Sequence, residues 1–166
     1  VPYSAASACR SASGWGAAWP EERRAGSAGL GPGRSRASRQ PRPDAAALRT
    51  ISAETLYAGR LARDLKGSDL LHWGEGEIRV SRDRIAHIGR LAPGPDYKLY
   101  LAPRFVDTKE AFLLIKDRSV RVGDVKTFNG FIVEVPAGID VRDYNTVVIW
   151  CEAFDQFISA AEYQPS

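Results

Sequence analysis

Short apolar segments alternate with turn residues from residue 58 onward. Segments 78–80 and 85–88 are apolar and enclose four polar residues, a spacing that predicts a β-hairpin. In segment 97–101 every second residue is apolar, as in a strand with one buried face. Further strands are predicted at 111–115, 120–122, 125–128, 131–135, 146–151 and 157–163. Turn signals at intervals of roughly 8–12 residues predict an all-β fold, and two packed sheets can bury these faces, so we expect an antiparallel β-sandwich.

Three of these segments support more specific predictions. Segment 146–151 is apolar on both faces, which is typical of a central strand, and it ends at Cys151. Segments 125–128 and 131–135 flank Asn129-Gly130. This dipeptide favours a two-residue hairpin turn because both of its positions accept positive φ. We therefore expect the two flanking segments to pair as a hairpin.

Residues 1–44 differ in composition from the rest of the chain. Ala, Ser, Gly and Pro make up 28 of the first 45 residues, and the same stretch has only two residues among Val, Leu, Ile and Phe. Such a segment buries too little apolar surface to offset its ordering entropy, which predicts a disordered tail. Asp44 as an N-cap and the alanines after it predict a short helix or linker at 45–57. The β-sandwich domain is then expected at 58–166.

The positive charge of the chain belongs to this tail. The formal net charge is +3, but residues 1–45 hold seven Arg against three acidic residues, and the remainder is nearly neutral. Because the domain also lacks aromatic residues interleaved with lysines, we expect no nucleic-acid partner. No apolar run has the roughly 20 residues of a membrane span. No export signal is visible in the sequence.

The inventory of reactive residues is small. The chain has two His, two Cys and no Met, and it contains no CxxC, HExxH, GxSxG or P-loop motif. We therefore expect no metal site and no hydrolase. Cys151 is the only cysteine of the domain. It is either a buried small hydrophobe or a redox thiol, and the carboxylates of Glu152 and Asp155 would disfavour its thiolate.

Three further residues are candidates for a site. His72 and Trp73 precede Gly-Glu-Gly, a sequence typical of a loop or turn, and His87 lies within the predicted strand 85–88. A lone His on a strand is usually structural or faces solvent, although His is also a common ligand of metals and heme. Trp73 is interpreted as a packing residue, and it becomes a functional candidate if it is exposed beside His72.

Several blocks in a fixed order resemble a known family. They run from His72-Trp73-Gly74-Glu75-Gly76 through 92–101, 122–126, 128–130 and 135–136 to 144–151, which ends Val147-Val148-Ile149-Trp150-Cys151. Over about 57–163 the chain resembles the DM-thirteen (DM13) domain, which is named in the context of electron transfer. The last block is the most specific part of this resemblance.

The resemblance implies a DOMON-like or jelly-roll-like β-sandwich in a periplasmic or cell-surface protein that works with a redox partner. The family's cysteine maps onto Cys151, as a bare thiol or as the ligand of a prosthetic group. A heme held by Cys151 with His72 or His87 would be non-covalent, because no CxxCH motif exists.

Two functions from different classes remain open. A redox or electron-transfer accessory domain predicts Cys151 at a pocket with a His or a cation within reach. A non-catalytic module that recognises a protein, a sugar or a small apolar ligand predicts Cys151 buried among aliphatic residues, with an aromatic-lined surface elsewhere.

Overall fold

The computed structural model describes residues 44–165 as two four-stranded antiparallel sheets packed face to face. The first sheet has the order β1 (Tyr57–Leu61), β2 (Gly74–Val80), β3 (Arg84–Leu91) and β6 (Phe131–Glu134). The second has the order β5 (Val120–Val125), β4 (Tyr97–Ala102), β7 (Thr146–Cys151) and β8 (Gln156–Glu162). The predicted antiparallel β-sandwich is confirmed. The predicted hairpin over 78–88 is formed by β2 and β3.

The main hydrophobic core lies between the two sheets. It is built from alternate residues of the facing strands, such as Ile78 and Ile85 from the first sheet and Leu99 and Ile149 from the second. All four are fully buried. Strand β7 lies between β4 and β8, as its apolar character on both faces predicts. Cys151 faces this core from the end of β7.

The opposite face of the second sheet is covered by helix α2 (Lys109–Leu113). Phe112 of this helix is fully buried, and its ring centroid lies 5.0 Å from that of Trp150. The prediction of a strand at 111–115 is therefore wrong. Phe112 and Ile115 are three residues apart, a spacing that places both on one side of a helical turn, and the Thr108 hydroxyl caps the helix by accepting from the Ala111 N–H at 3.2 Å.

The Asn129-Gly130 turn does not join a hairpin. Strand β5 belongs to the second sheet and β6 to the first, where β6 pairs with β3, so the connection crosses from one sheet to the other. Gly130 has the positive φ that the dipeptide favours, +94°. The Leu91 N–H donates to the Phe128 carbonyl at 2.8 Å, which holds residues 126–130 against the end of β3 and out of a strand. Only Gly130 takes the positive φ expected at both positions, and the prediction of a hairpin across the dipeptide is wrong.

Helix α1 (Ala45–Glu54) precedes the sandwich. The Asp44 side chain caps it by accepting from the Ala47 N–H at 2.7 Å, as the sequence predicts. The helix ends before residue 57, because Tyr57 already pairs with Val80 as the first residue of β1. The predicted tail lies outside the described residues. Within residues 44–165, no helix has the length and apolar character needed to cross a membrane.

Candidate functional site

A cavity of about 290 Å³ opens at one end of the sandwich. At this end β2 and β4 begin and β3 and β7 end. Residues at these four strand ends line the cavity, and two loops and Phe154 complete it. The lining residues are Leu70, Leu71, His72, Trp73, Ala92, Pro93, Gly94, Pro95, Tyr97, Cys151 and Phe154. Three of the four residues that the sequence singled out, His72, Trp73 and Cys151, therefore share one cavity.

Cys151 lines this cavity and is almost completely buried. Only 1% of the residue is exposed, and it is a free cysteine. On β7 it stands opposite Tyr97 of β4 and opposite Gln156 of β8. Both expectations for Cys151 thus describe part of the site, because the residue packs in the core and also contributes to the cavity wall. Its side chain is therefore almost fully shielded from solvent.

The carboxylate of Glu152, which follows Cys151 in the sequence, is paired elsewhere. It accepts hydrogen bonds from the Tyr100 hydroxyl and from the Lys116 ammonium group, the latter at 3.0 Å. Lys116 also lies 4.8 Å from the Trp150 ring, on the side of the sheet that helix α2 covers. Burial alone would raise the pKa of Glu152, but these two hydrogen bonds outweigh burial and hold it below its usual value. The negative charge expected beside the thiol is therefore compensated by Lys116.

Tyr97 forms part of the wall next to Cys151. The residue is 3% exposed, and burial, with a smaller contribution from the neighbouring thiol, raises its pKa to about 12. Its phenol is therefore protonated at neutral pH. The backbone of Gly94 packs directly on this ring, since a Cβ added there would stand 2.5 Å from the phenol oxygen. Gly94 thereby fixes how far the ring extends toward the cavity.

The imidazole of His72 is oriented by Asp69. Its Nδ1 lies 2.8 Å from one carboxylate oxygen of Asp69, and the same carboxylate accepts from the backbone N–H groups of Leu71 and His72. The hydrogen bond with His72 is the largest reason why the pKa of Asp69 lies below its usual value. An ionised carboxylate at Nδ1 favours the tautomer that carries its proton there, which leaves the lone pair on Nε2.

Trp73 is held from one side by a cation. The guanidinium carbon of Arg63 lies 3.8 Å from the centroid of the indole, and Arg63 is itself 3.9 Å from Glu75. Because the guanidinium occupies one face of the indole, only the opposite face and the ring edges remain for the cavity. Trp73 is partly exposed beside His72, which is the arrangement that makes it a functional candidate.

His87 lies away from the other candidates. It is fully buried on β3, its ring centroid is 5.0 Å from that of Phe131, and its Nε2 donates to the Glu75 carbonyl at 3.0 Å. Within the described residues its Nδ1 has no hydrogen-bond partner. Burial is the main reason why the pKa of His87 lies below its usual value. This environment favours the neutral imidazole, which packs against Phe131 of the neighbouring strand β6.

Sequence reasoning missed two members of the site, Asp69 and Tyr97. Asp69 stands three residues before His72, and an Asp at that spacing commonly folds back onto the following backbone N–H groups, so its role had a local signal. Tyr97 was identified only as an apolar strand position. Its place opposite Cys151 depends on the pairing of β4 with β7, which no local pattern specifies.

The site has no arrangement typical of metal binding. Among residues 44–165, no group of three or more His, Cys, Asp or Glu side chains is placed to hold a metal ion.

Comparison with known proteins identifies the family. No curated protein and no solved structure matches the chain. A family model described as electron transfer DM13 matches residues 47–163, which is more than two thirds of the sequence and includes every residue that lines the cavity. The chain therefore belongs to the DM13 electron-transfer family.

Proposed function

We propose that this domain is an electron-transfer accessory domain in which Cys151 acts as a redox-active bare thiol. The observation that carries the proposal is that Cys151 lines a cavity that His72 and Trp73 also line. We expect a small molecule that enters the cavity to reach the sulfur and a large one to be excluded. This arrangement suits a thiol that must react selectively.

The proposed reaction is the exchange of the Cys151 thiol with a small disulfide, and His72 is the residue that we propose as the base that removes the thiol proton. Because the Asp69 carboxylate favours the tautomer with the proton on Nδ1, Nε2 is the ring nitrogen available to accept the Cys151 proton when the two side chains meet in the cavity that both line. The thiolate then attacks one sulfur of a small disulfide. A new S–S bond forms to Cys151, the original S–S bond breaks, and the leaving thiolate takes the proton from His72. Cys151 is oxidised and the small disulfide is reduced.

The cavity favours the bare thiol over a heme ligand. Its volume of about 290 Å³ lies at the lower end of ligand pockets, which span roughly 300–1,000 Å³. A heme held here would have Cys151 and His72 as its candidate ligands, but the cavity that they line is small for a macrocycle of four pyrrole rings. His87 is fully buried and already donates to a backbone carbonyl. The residues present do not fit a heme.

The test is the reactivity of the native thiol. In a Cys9→Ser background Cys151 is the only thiol, so methyl methanethiolsulfonate, which is small, and dithiobis(nitrobenzoate), which is bulky, report on it alone. We expect the native protein to react with the small reagent and to resist the bulky one. His72→Gln should slow the reaction about tenfold, because it removes the base. Lys109→Gln, a surface change outside the cavity, is the matched control.

Two results would contradict this proposal. A thiol that reacts only after unfolding would make Cys151 a core residue, and a Soret band in the purified protein that Cys151→Ala abolishes would make it a heme ligand. In the first case the recognition module becomes the better proposal. The observation that favours that module is the apolar rim of the cavity, since Leu70, Leu71 and Phe154 are 90%, 73% and 68% exposed.

A further inference from the structure

We propose that the cavity is a binding site for a neutral quinone or hydroquinone with a single ring. The electron-transfer setting of this ligand rests on the proposed function, but its binding does not require a reactive thiol. The proposal is carried by four properties of the cavity: its size, its lack of charge, its pair of hydrogen-bonding side chains and its apolar rim.

The size and shape of the cavity fit one planar ring. A volume of about 290 Å³ is just below the usual range of ligand pockets, roughly 300–1,000 Å³, and therefore suits a small ligand. The wall contains the rings of Trp73 and Tyr97, and Pro93 and Pro95 are on the loop that borders it. Aromatic side chains and prolines offer flat surfaces against which a planar ring packs well.

The lining of the cavity carries no formal charge. None of the described residues that line it is Asp, Glu, Lys or Arg, although charged side chains are common elsewhere on the domain. A phosphorylated or carboxylated ligand would lose its hydration there without gaining an opposite charge, which is costly. The ligand that fits is therefore neutral.

The hydrogen-bonding groups match the two oxygens of a quinone. Tyr97 provides a protonated hydroxyl, which can donate to a carbonyl oxygen. His72 provides Nε2, whose lone pair can accept from the O–H of the hydroxyl group in the reduced ring. Most of the other lining residues are aliphatic, proline, glycine or phenylalanine. A sugar, with a hydroxyl on nearly every carbon, would leave most of its polar groups unpaired in such a site.

The rim of the cavity explains how substituents on the ring are accommodated. Leu70, Leu71 and Phe154 all line the cavity, yet each exposes more than two thirds of its surface. Exposed apolar surface of this kind is unfavourable in water, and an alkyl substituent leaving the cavity would cover part of it. A lipophilic quinone presents such a substituent.

The experiment is an equilibrium titration of the full chain, measured by isothermal titration calorimetry. The ligand is tetramethyl-1,4-benzoquinone in one titration and its hydroquinone in a second. Every ring carbon of this compound is substituted, so the Cys151 thiol cannot add to a free position and the titration reports reversible binding. We expect one site per chain. Tyr97→Phe should weaken binding of the quinone about five- to tenfold, the effect of one hydrogen bond, and Leu71→Ala should weaken it about threefold. Leu114→Ala removes an equally exposed leucine outside the cavity and should leave binding unchanged.

A second measurement locates the ligand. In the Cys9→Ser background, saturating quinone should slow the modification of Cys151 by methyl methanethiolsulfonate at least tenfold. The proposal is overturned if neither form binds at its solubility limit, or if binding is insensitive to Tyr97→Phe and Leu71→Ala. The two proposals fail separately, because a reactive thiol without quinone binding sustains only the proposed function, and binding to a protein with an inert thiol sustains only the quinone site.

Discussion

Tyr97 and Cys151 occupy directly opposite positions on the antiparallel strands β4 and β7. Directly opposite residues of an antiparallel pair have Cβ atoms about 4.5–5.5 Å apart and point to the same face of the sheet. Both residues belong to the core between the sheets, and both line the cavity. The phenol and the thiol are therefore held next to each other by backbone pairing, and loop conformation does not set their separation.

The ionisation of Tyr97 tests this placement. Because burial raises its pKa to about 12, the Tyr97 phenol should stay protonated well above pH 10, where an unperturbed tyrosine is half ionised. In an alkaline absorbance titration at about 295 nm, Tyr97→Phe should remove amplitude only near pH 12. In denaturant the same substitution should remove amplitude near pH 10. Loss of amplitude near pH 10 in the folded protein would show that Tyr97 is solvated.

Gly94→Ala should destabilise the protein through Tyr97. The added methyl group would overlap the phenol ring, and a buried ring has little room to move, so we expect a loss of about 1–3 kcal/mol in the free energy of unfolding. Denaturant unfolding of a double-mutant cycle checks the cause. In a Tyr97→Leu background the cost of Gly94→Ala should largely disappear. An unchanged cost in that background would assign the effect to the backbone of the loop.

Phe112→Ala should be among the most damaging substitutions in the domain. Phe112 is fully buried against Trp150 and Tyr100 on the outer face of the second sheet. Its truncation should lower the free energy of unfolding by about 3–5 kcal/mol. Leu113→Ala, at the next position of helix α2 but 43% exposed, is the matched control and should cost less than about 1 kcal/mol. A strand at 111–115 would place Leu114 on the same face as Phe112, so a cost at Leu114→Ala as large as at Phe112→Ala would contradict the helix, in which Leu114 is 73% exposed.

The stability of the domain should fall in mild acid because of His87. The pKa of His87 is lowered in the folded protein, whereas in the unfolded chain a histidine has a pKa of about 6.5. Between these two values the unfolded state binds more protons than the native state, so stability is lost as the pH falls below about 6.5, by up to roughly 1.4 kcal/mol per pH unit.

Urea unfolding at pH 7.5, 6.5 and 5.5 measures this dependence. His87→Gln retains an N–H donor for the Glu75 carbonyl but has no group that titrates in this range, so it should flatten the profile between pH 6.5 and 5.5. Equal slopes for the two proteins would mean that His87 is solvated in the native state.

The strands were predictable wherever the signal was local. Alternation along β4 and the apolar character of β7 on both faces are properties of a few consecutive residues. Segment 111–115 was misinterpreted because an apolar run of strand length also fits one side of a short helix. The Asn129-Gly130 turn was misinterpreted for a different reason. The prediction took positive φ at both residues, whereas only Gly130 adopts it, because the chain here crosses from one sheet to the other and does not fold back into a hairpin.

Most residues of the candidate site could be identified from the sequence, but the position in the fold where they meet could not. The sequence singled out Cys151, His72 and Trp73, but they meet only because the ends of β7 and β2 lie at the same end of the sandwich. His87 was an equal candidate in the sequence. Its burial under Glu75 and Phe131, which separates it from the others, follows from the pairing of β3 with β2 and β6.

The connection through Asn129-Gly130 also affects how the domain assembles. Because it carries the chain from the edge strand β5 of one sheet to the edge strand β6 of the other, neither sheet can be completed before the other has begun. At the opposite edge the backbones of β1 and β8 meet so closely that a Cβ at Gly59 would lie 2.5 Å from the Glu162 carbonyl oxygen. At one side of the sandwich β5 thus lies beside β6, and at the other side β1 lies beside β8. A bare sheet edge is a template for adding strands from other molecules, and the close approach of β1 to β8 and of β5 to β6 limits the room for such an addition.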